Sequence, residues 1–158
     1  MSDAPGLLGS YVKAFAGALP VPLPGRSSEL TDDARTLDDV EIDREHLAAY
    51  NRVCGFRNTG ALPPTYLHVL AFPLALSLMT SRSFPFGVIG LVHLANRIEQ
   101  RRPVSVTESP SLRVHAENLR DHEKGRLVDL VHEATIDGEV VWRDVSTYRR
   151  RGGGGANG

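Results

Sequence analysis

A chain of 158 residues has the length of one domain, and 41% apolar, 23% charged and 6% aromatic residues make an ordinary globular composition with enough material for its own core. Eighteen basic against nineteen acidic side chains leave a formal charge of −1, so no overall field draws the protein to nucleic acid or an anionic membrane surface. Cys54 is the single cysteine, which excludes an intramolecular disulfide and a cysteine-rich zinc site and fits a cytoplasmic home.

Behind Pro5, the residues Leu7, Leu8, Tyr11, Val12 and Phe15 fall on one helical stripe and predict a short amphipathic helix. Its polar face carries only Lys13, so packing against protein is favoured over docking on a membrane. Pro20, Pro22 and Pro24 break the apolar stretch before a secretory signal or a membrane span could form. Residues 1–29 are thus expected to be a helix and a proline-rich linker. Residues 30–149 form the folded body, and residues 150–158, with four consecutive glycines, a disordered tail.

Within the body, weak alternation over Arg35 to Ile42 predicts a strand. Asp43 is placed to cap a short helix through Ala49 and Tyr50, and Asn51 to Pro64 is loop-like. Tyr66 to Thr80 is apolar on nearly every side and predicts a helix wrapped by protein. Thr65 is expected to cap it, with Pro63 and Pro64 fixing the approach, and Pro73 to kink or divide it. Gly87 to Ile98, Val104 to Glu117, Leu127 to Asp137 and Glu139 to Arg149 combine β-branched residues with partial alternation and predict strands. Asp137-Gly138 is a two-residue hairpin turn, and a second hairpin with a longer loop is expected around Asp121 to Gly125. One buried helix followed by an antiparallel sheet long enough to curl around it is an α+β architecture of the hot-dog kind.

Several segments carry a resemblance beyond architecture. They are Tyr50-Asn-Arg-Val-Cys-Gly-Phe56, Leu62-Pro-Pro-Thr-Tyr66, Ala71-Phe-Pro-Leu74, Phe84-Pro-Phe86, Gly90-Leu-Val-His93 with Asn96, Gln100-Arg-Arg-Pro103 and Glu117-Asn-Leu-Arg120. In order and spacing this set resembles the N-terminal half of two-domain MaoC-like hydratases and dehydratases, in particular actinobacterial 3-hydroxyacyl-thioester dehydratases, over about Leu7 to Arg150. The resemblance implies reversible hydration of a 2-enoyl thioester of coenzyme A or acyl carrier protein to the (R)-3-hydroxyacyl thioester, with no cofactor. The family's signature, Gly-Asp-x-Asn-Pro-x-His, uses its Asp and His to position a water and carry its proton, while a backbone amide polarises the thioester carbonyl. The corresponding stretch here is Gly55-Phe56-Arg57-Asn58-Thr59-Gly60-Ala61. Gly55 and Asn58 match, but Phe56 and Ala61 stand at the Asp and His positions, and neither can accept a proton. The chain therefore resembles a first half that shapes the acyl and pantetheine cleft and offers a dimer surface while a partner domain supplies the pair; the expected partner is a second hot-dog domain, in a homodimer or as the catalytic half. The glycine-rich tail falls where the link to a second half would begin.

On that reading the substrate-binding candidates are Asn58, Thr65, the amides of Tyr66 and Leu67, His93, Asn96, Arg97, Arg101 and Arg102. His93 reads first as a satisfied structural histidine and second as a cleft residue with Asn96. His68 is expected to bond a loop carbonyl, because no carboxylate lies near it in sequence. His115, His122 and His132 follow no metal-ligand spacing, so no metal is expected. Arg97, Arg101 and Arg102 are a solvated cluster or, as paired guanidiniums, a phosphate contact. Cys54 reads as a small apolar filler. Two other functions stay open: a non-enzymatic acyl-thioester-binding or scaffolding module, and a hot-dog thioesterase, disfavoured because Ala61 to Thr80 contains no Asp or Glu.

Overall fold

A computed structural model describes residues 28–151. The predicted N-terminal helix, most of the linker and the glycine-rich tail lie outside the described residues. The elements in chain order are β1 (Ala34–Leu37), α1 (Arg44–Cys54), α2 (Tyr66–Thr80), β2 (Leu91–Gln100), β3 (Ser111–His122), β4 (Gly125–Ile136) and β5 (Glu139–Arg151).

Local chemistry accounts for the helix ends. The Asp43 carboxylate accepts from the backbone N–H groups of Glu45 and His46 at 2.9 and 3.0 Å, satisfying donors that a helix start leaves open. At the other end Gly55 adopts φ 75°, and the Asn51 carbonyl accepts from the Phe56 N–H at 2.9 Å. The left-handed cap carries α1 through Cys54, one turn into the stretch expected to be loop. Cys54 ends that helix exposed, not as a core filler.

α2 spans the predicted Tyr66–Thr80, with Tyr66, Leu67, Leu70, Ala71, Ala75, Leu78 and Met79 buried. Pro73 lies inside it, and the predicted division is absent: the helix runs unbroken and packs on β1, β3 and β4. That packing outweighs the single backbone hydrogen bond the proline ring removes. Thr65 does not cap the helix with its side chain; its Oγ1 lies 2.6 Å from the Tyr50 hydroxyl instead. The helix start is held by Trp142, whose Nε1–H donates to the Pro64 carbonyl at 2.8 Å, and by the Tyr66 N–H, which donates to the Pro63 carbonyl at 2.9 Å.

The five strands form one antiparallel sheet in the order β1-β3-β4-β5-β2. Asp137 and Gly138 take φ 50° and 79°, the paired positive values of a tight hairpin turn, as their sequence predicts. The β3–β4 hairpin is also tight, because His122 pairs with Gly125 and leaves Glu123-Lys124 as a two-residue turn where a longer loop was expected. β2 starts at Leu91, after Gly90 at φ 88°, and β3 at Ser111. The residues expected to begin β3 turn instead: the Glu108 carboxylate accepts from the Ser105 N–H at 2.7 Å and pairs with Arg102.

Alternation sets the two faces of the sheet. Leu130, His132 and Ala134 of β4, with Trp142, Asp144 and Ser146 of β5, are buried on the helix side. Asp129, Glu133, Arg143 and Thr147 alternate with them on the other side. Among the described residues β2 is an edge strand, and Leu94 on it, Ile89 just before it and Phe72 on α2 are exposed apolar side chains. Among the described residues no helix is long and apolar enough to cross a membrane.

Candidate functional site

The helix side of an antiparallel sheet is expected to be apolar, and a row of polar residues interrupts it here. Asp144 is fully buried in the middle of β5, between Trp142 and Ser146. One turn into α2, His68 aims its Nδ1 at Asp144 Oδ2 in a close contact, and its side chain is a quarter exposed. From edge strand β2, Asn96 donates through Nδ2 to Asp144 Oδ1 at 2.6 Å and to Ser146 Oγ at 2.9 Å. From β4, His132 pairs in register with Asp144 and brings Nδ1 to 3.3 Å from Oδ2. That approach is not aligned for a hydrogen bond, and neither ring nitrogen of His132 has a hydrogen-bond partner among the described residues. The two imidazoles lie 5.3 Å apart, and Phe72 flanks His68 at 6.4 Å.

Electrostatics follow from burial. Desolvation disfavours the imidazolium of His132 and outweighs the attraction of Asp144; His68 adds a smaller push in the same direction as burial. Together they hold its pKa at about 4, so the ring is neutral at pH 7. Burial, and behind it the Asp144 charge, raises the Tyr148 hydroxyl above its ordinary value. The result is a buried carboxylate oriented by an amide on one oxygen and faced by two imidazoles on the other. Of the two imidazoles, His68 reaches the surface. Such an arrangement can hold a proton between Asp144 and His68 and orient the His68 ring, the relation a carboxylate bears to a histidine base.

The residues predicted from sequence are scattered around this row. Asn96 belongs to it. His93, expected to be a satisfied structural histidine, is exposed and stacks on Tyr148 at 4.8 Å, because a bulge between His93 and Ala95 shifts the strand's alternation. His68, expected to bond a loop carbonyl, bonds Asp144, which lies 76 residues away in sequence. The Tyr66 amide, expected to face a thioester oxygen, is taken by the Pro63 carbonyl; its ring is buried, with the hydroxyl 2.8 Å from His46 Nδ1. Leu67 is a core side chain. Asn58 accepts from Asn51 Nδ2 at 2.8 Å in the loop after α1, where Phe56 stacks on Tyr50 at 6.2 Å. Thr65 contacts Tyr50 as described. Arg102 forms a bidentate pair with Glu108 at 2.9 and 3.1 Å, and Arg97 pairs with Glu99 at 2.7 Å; these two guanidiniums already hold carboxylates, and Arg101 is exposed.

Asp144 and Ser146 escaped the sequence reading, and His132 entered it only as a histidine without metal-ligand spacing. One signal was present: in Trp142-Arg-Asp-Val-Ser146 the inward period-two positions read apolar, acidic, polar, which is out of keeping with a core-facing strand.

A five-stranded antiparallel sheet curled about one apolar helix is a hot-dog fold, and here a polar row is set into its inner face. In sequence the chain is 42% identical over 144 residues to 3-hydroxyacyl-thioester dehydratase X of Mycobacterium tuberculosis, a match covering 91% of this chain and 51% of that protein. The crystal structure of HtdX from the same organism superposes with a TM-score of 0.69 at 40% identity, over 75% of this chain and 51% of that one. The C-terminally truncated HadBC (3R-hydroxyacyl-ACP dehydratase) complex of M. tuberculosis shares the fold at 17% identity and a TM-score of 0.57, over 75% of this chain and 90% of that one. The chain spans about half the length of the curated relative it matches. No family model matches it.

Proposed function

We propose that this domain is one half of an acyl-thioester hydratase or dehydratase, shaping the substrate cleft and the inter-domain surface while a second hot-dog domain supplies the Asp and His that move the proton. The observation that carries the proposal is the 42% identity, spread over nine-tenths of the chain, to a protein named as a 3-hydroxyacyl-thioester dehydratase. Two features support the division of labour. Phe56 and Ala61 occupy the positions of the family's acid–base pair, and Phe56 is exposed with its ring stacked on Tyr50. Among the described residues the ten-residue edge β2 has no strand on its outer side, and Leu94 on it and Ile89 just before it are exposed apolar side chains. An edge of that length with apolar neighbours is completed by a further strand, and a second hot-dog domain offers one of matching curvature.

The substrate class is a 2-enoyl or 3-hydroxyacyl thioester of coenzyme A or acyl carrier protein. Water adds at the β-carbon, and the proton is exchanged at the α-carbon next to the thioester carbonyl. Hydration of crotonyl-CoA by the chain alone is expected to be absent, and to appear when the chain is mixed or fused with a hot-dog domain carrying the Gly-Asp-x-Asn-Pro-x-His segment. Robust hydration by the chain alone overturns the division of labour.

The bond between His68 and buried Asp144 favours one second reading, in which this half carries its own base. Under it the isolated chain hydrates the substrate and His68→Gln abolishes that activity, whereas under the first reading His68→Gln changes nothing in the isolated chain.

A further inference from the structure

The polar row on the inner face holds one group that neither the fold nor the acyl-thioester reading explains. A fully buried imidazole normally donates or accepts at least once in good geometry, and His132, 1% exposed, makes no aligned hydrogen bond among the described residues although its Nδ1 lies 3.3 Å from Asp144 Oδ2. Its surroundings are not apolar: His132, His68 and Asp144 each present a ligand atom, and the three atoms lie within 4.8 Å of one another.

From this convergence we propose that His68, His132 and Asp144 form a divalent-cation site, with zinc the ion that suits it best. Two nitrogens and one carboxylate oxygen are a donor set zinc accepts, as do cobalt and nickel, and calcium and magnesium, which want oxygen donors, do not. Zinc bonds of roughly 2.0–2.2 Å set neighbouring ligand atoms about 3.4 Å apart in a tetrahedron. The His132 Nδ1 to Asp144 Oδ2 separation of 3.3 Å already has that spacing. His68 needs to draw back from the carboxylate, and its partial exposure at the start of α2 gives it room to do so.

The ion then takes the place of the His68–Asp144 hydrogen bond: His68 coordinates through Nδ1 as the neutral imidazole, with its ring proton on Nε2, and Asp144 through its carboxylate. Asn96 is the outer support: its amide on Oδ1 turns the carboxylate so that Oδ2 faces both imidazoles, and its hold on Ser146 fixes the amide in turn. The exposed side of His68 leaves a fourth position for water, and this is also the route by which the ion enters. The three ligands come from α2, β4 and β5, so the ion ties the helix to the centre of the sheet.

The test uses the whole 158-residue chain, stripped with a chelator, dialysed and titrated with zinc chloride by calorimetry, with bound metal counted by elemental analysis. One zinc per chain and a raised Tm are expected. His68→Gln is expected to abolish uptake, Asn96→Ala to weaken it by about 10–100-fold, and His122→Gln, at the exposed β3–β4 turn, to leave it unchanged. A stripped chain that takes up no zinc overturns the site, as does uptake that survives His68→Gln.

Cobalt(II) binding to the unaltered chain provides a readout that does not depend on any variant folding. Intense visible absorption from four-coordinate cobalt supports the site, and the faint spectrum of six-coordinate cobalt overturns it. None of these readouts involves thioester turnover, so they stand whether or not the dehydratase assignment holds.

Discussion

Asp129 and Asp144 are both buried carboxylates on neighbouring central strands, and they are solvated by the protein in opposite ways. Asp129, on the outer face of β4, accepts from Thr147 Oγ1 at 2.7 Å, from Asn118 Nδ2 at 2.7 Å and from Arg120, whose two terminal nitrogens reach it at 3.0 and 3.2 Å. Burial works against its charge, but these donors prevail and hold its pKa below the usual carboxylate value. Asp144, on the inner face of β5, has no lysine or arginine partner among the described residues. It is met by Asn96, by His68 and by the unpartnered ring of His132. An anion satisfied by a permanent cation and neutral donors is a closed structural unit. An anion faced by groups that can gain or lose a proton, or share a metal ion, is still open to chemistry, and that difference separates the candidate site from the scaffold in this domain.

The contrast can be broken by deleting each carboxylate. Asp144→Ala in the metal-free chain strands Asn96 and His68 around a buried hole, and a loss of about 4 kcal/mol in urea-unfolding free energy is expected. A loss no larger than that of the Asp129 deletion would remove the distinction.

Next in size is the pH dependence of His132. It binds its proton near pH 6.5 when unfolded, but only at about pH 4 in the folded protein. As pH falls between these values the unfolded chain carries more protons, so stability present above pH 6.5 declines, reaching a deficit of about 3 kcal/mol near pH 4. His132→Gln in metal-free protein should flatten that part of the stability profile, whereas altering the outer face should not.

Asp129→Ala is expected to cost about 2 kcal/mol, less than Asp144→Ala, because Arg120 is a third exposed and can turn to water once its partner is gone. Smallest is Arg143→Ala, which breaks the outer pairs to Glu117 and Glu133 at 3.2 and 3.6 Å. A change below about 1 kcal/mol, shrinking further in high salt, is expected for such partly exposed pairs.

Much of the scaffold was legible because its signals are short-range. The apolar run from Tyr66 to Thr80, the Asp43 cap and the Asp137-Gly138 turn each act within a few residues, and each appears where it was expected. Misreadings arose where a distant partner intervened. Thr65 turns to Tyr50 instead of capping α2, and Pro73 is carried by packing from three strands. The expectation about His68 failed for the same reason: the carboxylate missing from its sequence neighbourhood arrives on β5.

By itself, then, the sequence determined the hot-dog framework and the place of Asn96 among the polar residues of interest, and it suggested the reading of Phe56 and Ala61 as an acid–base pair replaced. Period-two and helical patterns, caps and turn residues act locally and need no knowledge of the rest of the chain. Only the tertiary structure decided that His68, His132 and Asp144 share one buried point, because strand register and the docking of α2 are set by burial of the whole inner face. One residue of slip in β5 would turn Asp144 to the outer face and dismantle the site with no change in composition.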